Sequence, residues 1–301
     1  MKYNKESANM KKPTAILLAI LMAAMLTACA HDNDVSDVPE SKTESSVESS
    51  EAAESSAEES SEPESKQYVE NIADYTVETD KNGELMITKY NGHDPYIIIP
   101  SEYEGKPITT VYCTTLLDCD FIKGIKVSEG ITCVDKDEVY VENDKIVEFG
   151  FCGCTSYEEL MLPTTLEVLG NLSHSKKLKK IVVPEGIMLD NYQFFGCTAL
   201  ETVVLPDDLT SIGIKAFVGC DSLKEISLPS KLTCIARGAF YDVPIKEFRL
   251  PDTMELCVTG SFPSGAKVYL SEKLANKVLH GEETFLDMLK TECPNIEVVI
   301  E

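Results

Sequence analysis

The stretch "FFGCTALETVVLP", Phe194–Pro206, decides the fold because the chain writes it again. "FVGCDSLKEISLP", Phe217–Pro229, follows it, and then the looser "FYDVPIKEFRLP", Phe240–Pro251. Prolines that close an apolar triplet stand at Pro163, Pro184, Pro206, Pro229 and Pro251, spaced 21, 22, 23 and 22 residues apart. A second landmark, Cys154, Ser175, Cys197, Cys220 and Val243, keeps spacings of 21, 22, 23 and 23. Two independent landmarks on one period mark a repeat architecture. A degenerate copy precedes them: Ile122, Ile125, Val127 and Ser128 follow Cys119 at the offsets of Leu223, Ile226, Leu228 and Pro229 from Cys220. Upstream of it, Ile108, Val111 and Leu116 take the places of Leu209, Ile212 and Phe217. The 35-residue gap from Cys119 to Cys154 is about a dozen too long, and "VYVENDKIVEF", Val139–Phe149, fills it as an inserted hairpin with two β-rich arms.

One unit cannot bury its own apolar face. In "LETVVL" Val203 and Leu205 alternate as a strand and point one way with Leu200. Pro206 ends the strand, having no N–H for the ladder. Leu209, Ile212 and Phe217 then supply a second apolar wall. Stacked neighbours bury what single units expose, so the expected fold is an α/β-type repeat solenoid of short parallel strands with little helix. The Pro163–Pro184 copy departs from the pattern. It lacks the Ala-Phe pair and has Ser175 where its neighbours have Cys, which predicts an irregular turn.

The stretches "LTSIGIKAFVGCDSLKEISLP", Leu209–Pro229, and "LTCIARGAFYDVPIKEFRLP", Leu232–Pro251, resemble the leucine-rich repeats of BspA-like bacterial surface proteins. The resemblance covers roughly residues 108–251. It implies a non-enzymatic binding protein displayed on a bacterial cell.

A solenoid's terminal layers need covering. The repeats are expected over 108–270, with the hairpin insertion at 139–149. An N-terminal β cap over 67–107 includes the hairpin "YTVETDKNGELMITKY", whose Asn82-Gly83 suits a type I′ turn, and a further strand in "DPYIIIP". "KVYLS" is a last short strand, and the C-terminal cap over 271–301 holds a short helix in "EKLANKVLHGEETFLDMLK", interrupted near Gly281, and a strand, "IEVVI".

The N-terminus reads differently. Residues 1–28 have a basic start at Lys11 and Lys12 and an apolar run from Ala15 to Leu26, as a secretory signal does, with Met10 the more typical start than Met1. Leu26-Thr27-Ala28-Cys29 resembles the bacterial lipobox, which implies cleavage before Cys29 and a lipid on its thiol. From residue 29 to 66 the chain is a Ser/Glu-rich tether with 12 acids, 2 lysines and almost nothing apolar to offset ordering entropy, and it is expected to be disordered. The expected location is the extracellular face of the bacterial cell membrane, where the lipid holds the chain.

Composition narrows the chemistry. With 27 basic and 51 acidic side chains in 301 residues the net charge is −24, which argues against nucleic acid as a partner. Of the 11 cysteines, Cys119, Cys154, Cys197 and Cys220 share one repeat position and Cys133 and Cys234 another. That register predicts a buried thiol ladder; it also accounts for Cys154 without a redox pair with Cys152. The four histidines, His31, His93, His174 and His280, fall in no catalytic motif, and no phosphate loop or nucleophile elbow is present. Asp118 and Asp120, or Asp135, Asp137 and Glu138, fall short of the six to eight oxygens a calcium ion takes. No cofactor or metal is expected, and a cysteine-based enzyme is the least favoured of the readings.

The outward face of the strands is the candidate binding site. One outward position reads Glu159, Lys180, Thr202, Glu225 and Glu247; the other reads Met161, Val182, Val204, Ser227 and Arg249, with Tyr269 beside Arg249 at the far end. Stacking would align Met161, Val182 and Val204 as an apolar ladder rimmed by charge, although β-propensity alone also favours Val on a strand. The expected function is adhesion to a protein or glycan by a monomer. The alternative is an envelope scaffold that recruits another exported protein.

Overall fold

A computed structural model describes residues 66–112, 114–134, 141–142, 145–146, 151 and 153–301. The signal segment, Cys29, the tether through residue 65, His31, Asp135, Asp137, Glu138 and Cys152 lie outside the described residues.

Eight strands form the outward row: β1 (Tyr96–Ile99), β2 (Gly124–Val127), β3 (Glu159–Met161), β4 (Lys180–Val182), β5 (Thr202–Val204), β6 (Glu247–Arg249), β7 (Lys267–Leu270) and β8 (Glu297–Ile300). β1 to β5 pair in chain order, all parallel, and β6, β7 and β8 form a second parallel sheet. The chain extends the first sheet beyond β1, where Val69 bridges Ile97 in parallel. Alternation sends Ile97, Ile125, Leu160, Ile181 and Val203 inward, and all are buried. Pro100, Pro163, Pro184, Pro206 and Pro251 each stand just past a strand of this row.

The expected strand at Glu225–Ser227 does not pair. The segment has no regular structure, and no ladder joins it to β5 or β6, so the outward row is two sheets and not one. The second wall is continuous across this point. Ser211–Ile212, Cys234–Ile235 and Leu256–Cys257 pair in parallel, with Ile212, Ile235 and Cys257 buried. Between the walls the rings of Phe194, Phe217 and Phe240 stack at centroid distances of 5.3 and 5.0 Å, fully buried. The turns after them require left-handed backbone: Gly196 and Gly219 have φ of +70° and +76°, and a Cβ on Gly196 would lie 2.8 Å from His174 Nδ1.

The irregular copy has a chemical cause. Tyr157 occupies the position held by Leu178, Leu200 and Leu223 in the next three units, and it is wholly buried. Its hydroxyl needs a partner there. Ser175, equally buried, provides one at 2.5 Å and itself donates to the carbonyl oxygen of Leu172 at 2.7 Å. A thiol would serve Tyr157 poorly, so the serine replaces the cysteine of the neighbouring units.

One local expectation changes, and the interruption near Gly281 is seen in detail. Tyr75–Thr79 and Leu85–Tyr90 pair antiparallel, but of the Asn82-Gly83 pair only Gly83 takes a positive φ, +87°. The turn is not type I′, because the Asp80 carboxylate organises it by accepting the N–H groups of Asn82 and Glu84 at 2.8 and 2.9 Å. Near the C-terminus the helical segment is two helices, α1 (Glu272–Ala275) and α2 (Phe285–Glu292), with an antiparallel pair, Val278–His280 and Glu283–Thr284, between them. Gly281 makes that turn at φ +62°, and Thr284 with Asp287 closes a capping box that starts α2 anew. Of the inserted hairpin at 139–149, Val141–Glu142 and Lys145–Ile146 pair antiparallel, and the remainder lies outside the described residues.

Candidate functional site

The register of the first sheet places side chains in two outward rows. One runs Tyr96, Gly124, Glu159, Lys180, Thr202. The other brings Ile98 beside Lys126, Lys126 beside Met161, and Val182 beside Val204. Met161, Val182 and Val204 are 43%, 52% and 45% exposed, and they lie on adjacent strands.

The first row is occupied at its beginning. At Gly124 a Cβ would lie 2.6 Å from both Tyr68 Oη and Tyr96 Cδ1, so only glycine lets these two rings, 5.5 Å apart and edge to face, rest on the sheet. Tyr68 donates to Glu159 Oε2 at 2.9 Å, and Lys66 forms an ion pair with the same carboxylate. The Lys66 hydrogen bond, first among several causes, holds the Glu159 carboxyl below its usual range. Glu158, just before the strand, pairs with Lys179 Nζ at 3.3 Å. Lys180 and Lys126 make no ion pair among the described residues. A groove of about 580 Å³ opens between the Lys66 arm and the strands, lined by Glu159, Met161, Lys179, Lys180 and Val182.

The eleven predicted face residues are divided between two hydrogen-bonded sheets and the unpaired segment between them. Glu159, Met161, Lys180, Val182, Thr202 and Val204 lie together on the first sheet. Glu225 and Ser227 are exposed on the unpaired segment. Glu247, Arg249 and Tyr269 belong to the second sheet, where Arg249 is already engaged: its guanidinium carbon sits 4.1 Å from the Tyr269 ring centroid and it pairs with Glu301. Lys66, Tyr68 and Lys126 were absent from the predicted face. Lys66 and Tyr68 carry no sequence signal, being some ninety residues from Glu159. The run "SKKLKK", Ser175–Lys180, was readable as a basic cluster in an acidic chain.

The cysteines offer little to nucleophilic chemistry. Cys119, Cys154, Cys197, Cys220, Cys257 and Cys293 are buried free thiols, and Cys133 and Cys234 are half-buried. Cys197 and Cys220 donate to the carbonyl oxygens of Leu172 and Phe194, each at 3.2 Å. Burial pushes the thiols of Cys119 and Cys234 up to about 11 and that of Cys197 to about 12. They are neutral at physiological pH, and the neutral thiol is a poor nucleophile. Among the described residues no group of three or more His, Cys, Asp or Glu side chains could hold a metal ion, and no helix is long and apolar enough to cross a membrane.

Residues 144–268 match the family model of the BspA type leucine rich repeat region, in six copies. Over residues 144–268 this supports a leucine-rich repeat fold, and the regular elements among the described residues are mostly strands with little helix. A leucine-rich repeat protein of T. pallidum shares 20% identity over 69% of this chain and 88% of its own, with a TM-score of 0.37. A leucine rich cell surface protein of Faecalibacterium prausnitzii shares 19% over 65% and 69%, with a TM-score of 0.38. A leucine-rich repeat protein of Bacteroides ovatus shares 18% over 66% and 64%, with a TM-score of 0.40. No curated protein matches the chain.

Proposed function

We propose that this chain is a surface-displayed, lipid-anchored repeat protein that holds a protein or glycan partner on the β3–β5 face and performs no reaction of its own. One observation carries the reading: three apolar side chains, Met161, Val182 and Val204, stand exposed on adjacent paired strands beside Lys180, which makes no ion pair among the described residues. An isolated exposed aliphatic residue needs no explanation, but an aligned patch rimmed by charge has the make-up of a binding surface. In this reading residues 1–28 are removed, Cys29 carries the lipid, and the 29–66 tether lifts a solenoid off the membrane on the outer side of the cell. The BspA-type match over 144–268 supports a binding scaffold. The neutral, buried thiols give no support to a cysteine-based enzyme.

The test exposes the full chain to an array of glycans, matrix proteins and exported bacterial proteins, with the Val182→Glu, Val204→Glu double variant beside it. A specific hit that the variant loses is the expected outcome. If that hit is an exported protein of the same cell, the scaffold role replaces adhesion. Hits that persist unchanged in a folded variant would remove the face from the account.

A further inference from the structure

We infer that the partner of this face is an extended protein segment presenting two carboxylates on either side of an apolar side chain. The inference rests on the reading that the β3–β5 face binds, and it adds the chemistry of what is bound.

The chain carries −24, yet the unspent charge on this face is positive. Its two acids are engaged: Glu159 by Lys66 and Tyr68, and Glu158 by Lys179. Glu201 stands in the row of Glu158 and Lys179, one position before the outward row. What remains next to Met161 and Val182 is Lys126 on one side and Lys180 on the other, both exposed and without an ion partner among the described residues. An acidic molecule meeting this face therefore finds two ammonium groups that no carboxylate among the described residues has taken.

The spacing selects the form of the ligand. Lys126 is in register with Met161 on β3, and Lys180 is in register with Glu159, two residues earlier. Two strand separations across and two residues along put their Cα atoms about 12 Å apart. In an extended peptide, residues i and i+4 are about 13 Å apart and share a face with i+2. A carboxylate at i, an apolar residue at i+2 and a carboxylate at i+4 would meet Lys126, Met161 and Lys180 in turn. A glycan is the poorer match. The ladder is aliphatic, and the nearby rings of Tyr68 and Tyr96 are packed over Gly124 and not offered flat to solvent.

Fluorescence anisotropy with the full chain and four probes tests this. The first is a short peptide containing Glu-Ser-Leu-Ser-Glu, the second has Lys for each Glu, the third has Ser for Leu, and the fourth is a sulfated polysaccharide. The first peptide is expected to bind best, to weaken by about tenfold or more in Lys126→Glu, Lys180→Glu, and to weaken as salt rises from about 0.05 M to about 0.5 M. Both lysines are exposed, so the variant's melting curve should match the parent's. Equal binding of the lysine peptide, equal binding of the leucine-free peptide, indifference to the lysine changes, or no peptide binding at all would each overturn the inference. Tighter binding of the polysaccharide at the same lysines would overturn it in favour of a polyanion. The reading that the face binds is decided separately by the array and the Val182→Glu, Val204→Glu variant, so either can fail alone.

Discussion

Returning Ser175 to the cysteine of its neighbouring repeats should weaken the protein. Ser175→Cys or Ser175→Ala takes from Tyr157 the oxygen 2.5 Å from its hydroxyl, at a site where both residues have no exposed surface. A buried hydroxyl left without a partner costs ~1–3 kcal/mol, whereas removing both partners of a hydrogen bond can be nearly neutral. Ser175→Ala is therefore expected to cost ~2 kcal/mol. Tyr157→Phe alone should cost no more than ~1 kcal/mol, since Ser175 keeps its bond to Leu172. The double variant should sit close to Tyr157→Phe, a coupling of ~1–2 kcal/mol. For a fold of this length ~2 kcal/mol lowers the melting temperature by about 4–8 °C. Urea titrations of the four proteins measure the cycle, with unchanged m-values required for comparison. If the two single effects simply add, or if Ser175→Cys is as stable as the parent, the hydroxyl pair is not why this repeat departs from the others.

Three further outcomes follow from the core and the anchor. Phe217→Ala removes the middle ring of the three-ring stack and is expected to cost ~3–5 kcal/mol; Leu228→Ala, at a partly buried site, should cost less, and an unshifted Phe217→Ala melting curve would refute the register. Folded stability should hold up to about pH 9 and fall above it. The thiols of Cys119, Cys234 and Cys197, raised to about 11, 11 and 12, stay protonated in the fold while those of the unfolded chain ionise from about pH 9, so their stabilisation is lost as pH rises through 11–12. Urea midpoints against pH check the slope, which Cys197→Ala should reduce. Finally, Cys29→Ala is expected to release the protein from membranes, and membrane fractionation showing it still bound would place the anchor elsewhere.

Periodicity made the inward positions legible. Leu200, Val203, Ile212, Phe217 and Leu223 are buried where the repeat put them, because which side chains face the core depends only on spacing and apolarity. Backbone pairing depends on more, and so the unpaired Glu225–Ser227 could not be told from its neighbours by pattern. "YIIIP" was readable as a strand; that it pairs in parallel with β2, as the repeats do with one another, depends on contacts across 28 residues. The irregularity at Ser175 was visible, and its cause lay 18 residues away at Tyr157, in a leucine position. At the face, the apolar ladder could be listed from sequence. The spent and unspent charges could not, since Lys66 and Tyr68 reach Glu159 only through the fold.

The lapse at Glu225–Ser227 also bears on how the molecule exchanges with solvent. Amide protons of β4 and β5 sit in ladder bonds, and so do those of the second wall from Ser211 to Cys257. Those of Glu225–Ser227 have no ladder to hold them. Deuterium should therefore enter a few central residues quickly while their neighbours on both sides wait for larger openings. A fast-labelling window in the middle of a slow-labelling array gives an internal reference: its amides need no ladder to open, and the rates around it report the cooperative opening of the repeats.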